Sequence, residues 1–165
     1  MLNNKTINPP PREEQPQEES RASKLATPFP ALTTAEQNVT SAIKDVYLVS
    51  ESDEPFEWIT APWTSDKLPT AAELTELGLV DKASLGRIQT STLEEFFKKR
   101  VAADDPYGMA DKYRVLWDRL SDTFGKECSK VYFIGETSIT VLIVGIITDG
   151  NDRALAGLRS LLVET

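Results

Sequence analysis

Two apolar stretches near the end of the chain decide the fold: K-V-Y-F-I-G at residues 130–135 and I-T-V-L-I-V-G-I-I-T at residues 139–148. Their β-branched and aromatic residues, separated by a short polar segment, predict a β-hairpin. The second stretch is apolar at consecutive rather than alternating positions, so both faces of its strand should be buried. We therefore predict an α/β protein: a three-layer α-β-α sandwich with a small central, largely antiparallel sheet.

Four helices are predicted to supply the outer layers. Three of them should begin at capping boxes, in which a Thr is followed three residues later by a Glu: Thr33 with Glu36, Thr70 with Glu73, and Thr92 with Glu95. Gly78 can end the second of these helices. The fourth covers residues 109–124, where apolar side chains recur at helical spacing before Gly125.

The last segment, residues 154–163, is ambiguous. Leu155, Leu158 and Leu162 fit one face of a helix, whereas residues 161–163 fit a strand that pairs back on its neighbour. Gly157 would cost a helix interior about 1 kcal/mol, which favours the strand.

Composition excludes several classes of enzyme. The 165 residues include 18 Lys and Arg, 26 Asp and Glu, one Cys and no His. Without histidine there is no Ser-His-Asp triad, no Cys-His pair and no two-histidine zinc site. Cys128 alone cannot form an internal disulfide, so we expect a cytoplasmic protein. A net charge of −8 argues against a general nucleic-acid binder.

Proline is concentrated at the start of the chain. Residues 1–30 hold six of the ten prolines, and their acids and bases balance. Such a stretch buries too little apolar surface to offset the entropy of ordering, so we predict a disordered Pro/Glu-rich extension at residues 1–30. Residues 31–165 should form a single domain that carries the whole net charge. The longest apolar run, at residues 141–147, is too short to span a membrane.

The densest polar cluster is S-E-S-D-E-P-F-E-W at residues 50–58. Pro55 disfavours helix at the preceding residue, so the segment should be a loop that leads into a strand. Its acids do not have the spacing of a calcium-binding loop. Three roles of this segment remain possible: it could supply a pair of catalytic carboxylates, it could be an exposed loop that meets a basic partner, or it could be a loop without function. The acids are Glu51, Asp53, Glu54 and Glu57.

An ordered set of fragments resembles the nuclease A inhibitor-like family over roughly residues 33–165. The set begins with S-E-S-D-E-P-F-E at residues 50–57 and continues with Phe96-Phe97 and Lys112-Tyr113. It ends with G-E-x-x-x-x-V-x-x-x-G from Gly135, then Gly150-Asn151, Ala156-Gly157 and a terminal V-E-T. Residues 59–91 match poorly, and Asp152-Arg153-Ala154 should lengthen the turn after Asn151.

The resemblance implies a protein inhibitor of sugar-nonspecific nucleases that use Mg²⁺ in a ββα-metal site. It implies that Glu51 enters the active-site region of the nuclease and that Thr165 reaches its magnesium ion. Glu164, Asp53 and Glu54 would act mainly as steering charges, and Tyr107 is a further candidate contact. The chain itself would then be no enzyme and would need no cofactor, and its partner would be a nuclease rather than nucleic acid or a membrane.

Two alternatives stay open at this point. The first is a small-molecule-binding α-β-α domain with the acidic loop as a lid. The second is a carboxylate-dependent hydrolase that uses two of Glu51, Asp53 and Glu57.

Overall fold

The computed structural model describes residues 26–50, 52–81, 86–102, 105, 108–125 and 128–163. The predicted extension at residues 1–30 therefore falls mostly outside the described residues. In chain order the elements are α1 (Pro30–Thr40), β1 (Glu57–Pro62), α2 (Ala71–Glu76), β2 (Ile88–Ser91), α3 (Leu93–Ala102), α4 (Ala110–Phe124), β3 (Ser129–Ile134), β4 (Ser138–Asp149) and β5 (Asp152–Val163). Within the described ranges, no helix is long and apolar enough to cross a membrane.

The strands form one five-stranded sheet in the order β1-β5-β4-β3-β2, in which every neighbouring pair is antiparallel. The predicted hairpin is confirmed as β3 and β4, with Ile134 opposite Thr140. The last segment is strand β5, as the cost of Gly157 in a helix suggested. A Cβ atom at Gly157 would lie 1.8 Å from the carbonyl oxygen of Ile143, so this position of the hairpin accepts only glycine.

The turn between β4 and β5 is shorter than predicted. Asp149 pairs with Asp152, so the turn consists of Gly150 and Asn151 alone, and residues 152–154 belong to the strand. Gly150 has a φ of +64°, which matches the backbone hand of two-residue hairpin turns. The expectation of a lengthened turn was therefore wrong.

Both faces of β4 are buried, as the unbroken apolar run predicted. Val141 and Ile143 belong to a core cluster with side chains of α1, α3 and α4, whereas Leu142 and Val144 belong to a second cluster with Leu74 of α2. Consecutive side chains of a strand point to opposite faces, so β4 contributes to both clusters. The protein is thus an α/β fold with a five-stranded antiparallel sheet and apolar packing on both sheet faces.

Two of the three predicted capping boxes are confirmed. At α2, the Glu73 N–H donates to the Thr70 hydroxyl and the Thr70 N–H donates to the Glu73 carboxylate; Thr92 and Glu95 do the same for α3. Gly78 follows α2 with a φ of +79°, as predicted for its end.

The prediction for α1 was wrong, because that helix begins three residues before Thr33. Phe29 is the N-cap and Pro30 occupies the first helical turn. Proline is favoured there because its φ is already helical and no backbone partner exists for the missing N–H. Helix α4 agrees with its predicted bounds to within one residue, and Gly125 follows it with a φ of +77°.

Candidate functional site

The acidic loop, defined as residues 50–54, takes its shape from its own side chains. The Ser50 N–H donates to Oδ1 of Asp53 at 3.0 Å, and the Ser52 N–H donates to Oγ of Ser50 at 3.4 Å. Asp53 has a φ of +49°, in the left-handed region that Asp tolerates better than most residues. Short polar side chains that bond to nearby backbone favour such turns over regular structure. Glu51 lies outside the described residues.

Strand β5 holds the acidic loop in place. The carbonyl oxygen of Glu54 accepts hydrogen bonds from the Ser160 hydroxyl at 3.0 Å and from the Leu48 N–H at 3.0 Å. The N–H of Val163, the last residue of β5, donates to Oγ of Ser50 at 3.4 Å. Ser160 is 5% exposed, and its hydroxyl is therefore a structural anchor for the loop backbone.

Strand pairing explains why the acidic loop and the end of β5 meet. Strand β1 pairs antiparallel with β5, and Glu57 at the start of β1 lies opposite Arg159 near the end of β5. The loop precedes β1, so it must reach the same end of the sheet at which β5 finishes. Glu164 and Thr165 follow Val163 and lie outside the described residues.

The acids of this cluster are engaged differently. Glu57 receives two hydrogen bonds from Arg159, from Nε at 3.3 Å and from Nη2 at 3.3 Å. Asp53 is exposed and Glu54 is half-buried, and within the described ranges neither carboxylate forms an ion pair. Among the described residues, Asp53 and Glu54 thus keep their negative charges without an ion-pair partner, whereas Glu57 is paired with Arg159.

Tyr113 of α4 supports the segment that leads into the acidic loop. Its hydroxyl donates to the carbonyl oxygen of Tyr47 at 2.7 Å, and burial raises its pKa. Sequence reasoning did not single out this role, nor that of Ser160. The signal for Ser160 was its position as the one hydroxyl residue of a largely apolar strand. Tyr113, in contrast, cannot be told from an ordinary core residue in the sequence.

The start of α4, near the predicted contact Tyr107, is held by Asp105. Its carboxylate accepts the N–H of Met109 at 2.6 Å and the N–H of Ala110 at 3.2 Å. A carboxylate at a helix N-terminus satisfies free N–H groups and favours the helix dipole. Tyr107 itself lies outside the described residues, so its role as a contact stays a prediction.

An open groove of about 990 Å³ lies between α3 and the sheet. We call it the basic groove, because Arg87, Lys98, Lys99 and Arg100 line it. None of the described residues of the acidic loop lines this groove. Among the described residues, no group of three or more Asp, Glu or Cys side chains is arranged to hold a metal ion.

Together these features define an α/β domain that presents an acidic loop beside the end of its last strand. The family model of nuclease A inhibitor-like proteins matches residues 33–165, and the chain belongs to this family. The resemblance that the sequence motifs indicated is thus confirmed. The comparison with curated proteins gave no match. Family membership points to nuclease inhibition and to a nuclease as the protein partner.

Proposed function

We propose that this protein inhibits a sugar-nonspecific, Mg²⁺-dependent endonuclease by filling its active site with the acidic loop and the C-terminal residue. The observation that carries this proposal is the hydrogen bond from the Val163 N–H to Oγ of Ser50. Val163 stands two residues before Thr165, and Ser50 stands one residue before Glu51. The closeness of these neighbouring residues supports the entry of both proposed contacts into one cavity of a partner.

Charge and ligand chemistry support this mechanism. A nuclease that ignores the sugar must bind its substrate through phosphates, so its cleft should be basic and should hold a hard cation that prefers oxygen ligands. Carboxylates and a terminal hydroxyl offer the same charge and the same donor atoms as the substrate. The net charge of −8 also speeds the encounter with a basic cleft, and this contribution falls as salt rises.

The proposed contacts have different roles. Glu51 enters the active-site region, and Thr165 reaches the magnesium ion of the nuclease. Asp53, Glu54 and Glu164 steer the approach, and Tyr107 adds a contact near the start of α4. The chain itself carries out no reaction, since inhibition needs only occupancy of the site.

We also propose that the domain is a three-layer α-β-α sandwich. Support comes from the division of the core into two clusters, one with side chains of α1, α3 and α4 and the other with Leu74 of α2. A loop that hydrogen bonds to β5 suits an inhibitor, because a loop that is already positioned loses less entropy on binding than a mobile one.

Titration of the protein into an assay of a sugar-nonspecific, Mg²⁺-dependent nuclease, at low and at high salt, tests the proposal. Glu51→Ala should speed dissociation and cost about 2–5 kcal/mol of binding, as expected for a buried charged contact. Glu36→Ala is the matched control, since it removes the same charge at an exposed residue of α1 outside the acidic loop. This part of α1 contacts α4 through Asn38 and Thr123, near the C-terminal end of α4.

Two results would contradict the proposal. An absence of inhibition by the wild-type chain would exclude the function. Equal and small effects of Glu51→Ala and Glu36→Ala would exclude the role of Glu51 while leaving inhibition in place.

A further inference from the structure

The basic groove stands out in a chain with a net charge of −8. Lys98, Lys99 and Arg100 come from α3, and Arg87 precedes β2. In the part of the chain that the structure describes, none of these four cations forms an ion pair with a carboxylate. The guanidinium of Arg100 instead lies 3.8 Å from the centroid of the Phe96 ring and donates to the Phe96 carbonyl.

The acids on the groove offset only part of this charge. Glu95 and Glu136 also line it, so four cations stand against two carboxylates, and the Glu95 carboxylate also accepts the Thr92 N–H at 3.2 Å as part of the α3 cap. The floor is apolar, with side chains from three neighbouring strands: Phe133, Ile139 and Leu162. The groove therefore suits a segment that combines carboxylates with apolar side chains.

Two separate chains of contacts connect the basic groove with the acidic loop. Leu162 lines the groove, and the next residue, Val163, donates its N–H to Ser50 of the loop. Phe96 also lines the groove, and its ring centroid lies 4.9 Å from that of Phe97. The Phe97 ring lies 6.5 Å from that of Tyr113, whose hydroxyl donates to Tyr47 at the base of the loop. Both surfaces consequently lie at the same end of the molecule.

Interface size supports a single partner that covers both surfaces. A stable protein–protein interface covers about 800 Å² on each partner, which is far more than a five-residue loop offers. A protein that covers the acidic loop must therefore extend onto neighbouring surface. If that surface includes the basic groove, its four cations would repel a uniformly basic partner, so the partner needs negative charge opposite the groove.

We propose that the basic groove receives an acidic, partly apolar segment of the same nuclease whose active site receives the acidic loop. This inference rests on the proposed function. A surface that is acidic on one side and basic on the other permits only one orientation on a partner of opposite pattern. The groove would thus fix the orientation in which the loop and the chain end enter the cleft.

Charge reversal in the groove tests this inference. Lys98→Glu is compared with Lys67→Glu, a change of equal charge at an exposed residue outside the groove. Lys98→Glu should raise the inhibition constant by about tenfold or more at low salt, with a smaller effect at high salt, whereas Lys67→Glu should not weaken inhibition. Replacing the facing acidic residue of the nuclease by Lys should restore inhibition by the Lys98→Glu variant.

The outcomes separate the inference from the proposed function. If the wild-type chain inhibits and Lys98→Glu behaves like Lys67→Glu, the inference is overturned and the function stands; if the wild-type chain inhibits no such nuclease, both fall. Binding of a 5′-mononucleotide that Lys98→Glu abolishes, without any change in inhibition, would instead assign the groove to a nucleotide. Arg87→Glu serves as the second variant if Lys98→Glu does not fold.

Discussion

Exposed acidic residues lie at both ends of the sheet, but different kinds of contact hold them in place at the two ends. At one end, Asp149 and Asp152 flank the two-residue turn between β4 and β5, which is formed by neighbouring residues of one hairpin. At the other end, the acidic loop is held by bonds between residues far apart in the chain: Glu54 to Ser160, 106 positions away, and Ser50 to Val163, 113 positions away. The turn between β4 and β5 therefore needs only its own hairpin, whereas the arrangement of the acidic loop needs the complete fold.

Charge alone does not distinguish the two ends, because both carry exposed carboxylates. Only the end with the acidic loop also brings together the end of β5 and the basic groove. We therefore expect inhibition to depend on changes at the loop end and to tolerate equivalent changes at the turn end.

The largest difference should come from added chain length. A short Gly-Ser extension after Thr165 should cost inhibition about 2 kcal/mol or more, because it separates the terminal residue from the metal of the nuclease. The same segment inserted between Gly150 and Asn151 should leave inhibition unchanged and reduce stability only slightly, since lengthening a surface turn costs little entropy. Inhibition constants and urea unfolding measure the two effects, and indifference to the C-terminal extension would refute the terminal contact.

A smaller difference should separate two buried tyrosine hydroxyls. Tyr113 donates to Tyr47 below the acidic loop, whereas Tyr132 donates to the Pro69 carbonyl in the second core cluster. Each Tyr→Phe substitution should lower the free energy of unfolding by about 1 kcal/mol through the lost hydrogen bond. Only Tyr113→Phe should also weaken inhibition, by a few-fold. If both variants weakened inhibition equally, the loop would not depend on its local support.

Alkaline pH gives an independent check on Tyr132. Burial raises its pKa from 10.0 to about 12, so the folded protein keeps the phenol proton where the unfolded chain loses it. The stabilisation is complete below pH 10 and is lost as pH rises towards 12, with a slope of at most about 1.4 kcal/mol per pH unit. Tyr132→Phe should reduce this slope in urea unfolding measured below and above pH 10, and an unchanged slope would contradict the assignment.

The smallest difference in inhibition should be between two substitutions that each remove the charge of one carboxylate. Asp53→Asn keeps the acceptor for the Ser50 N–H and removes one charge from the acidic loop, whereas Asp152→Asn removes one charge from the turn end. Asp53→Asn should slow association with the nuclease a few-fold at low salt, and the effect should disappear at high salt. Equal effects of the two variants in stopped-flow association would mean that only the net charge steers the encounter.

Local patterns allowed much of the fold to be predicted. The hairpin of β3 and β4, the capping boxes at Thr70 and Thr92, and burial of β4 on both faces all follow from residue types within a few positions of one another. The predicted start of α1 was wrong, although Thr33 and Glu36 have the spacing of a capping box. The helix begins earlier because Pro30 suits its first turn and Leu32 is buried.

The site was less predictable than the fold. The motif at residues 50–57 indicated the acidic loop. Nothing in the sequence, however, separates Glu57, which pairs with Arg159, from Asp53, which forms no ion pair among the described residues. The support from Tyr113 and Ser160 was also missed, since each resembles an ordinary core or strand residue until its distant partner is known. The basic groove combines α3 with residues from β2 to β5, so no local pattern marks it.

The sequence by itself determined the class of fold, most of the element types, the acidic loop and the family, because each depends on residue types in short or ordered segments. Only the tertiary structure decided that β1 lies beside β5, that the acidic loop meets the end of β5, and that four cations line a groove at the same end of the sheet. The physical reason is that strand order and long-range hydrogen bonds depend on how the whole core packs. The hydrogen bonds that hold the acidic loop against β5 join residues more than a hundred positions apart, so no short segment of sequence reveals them.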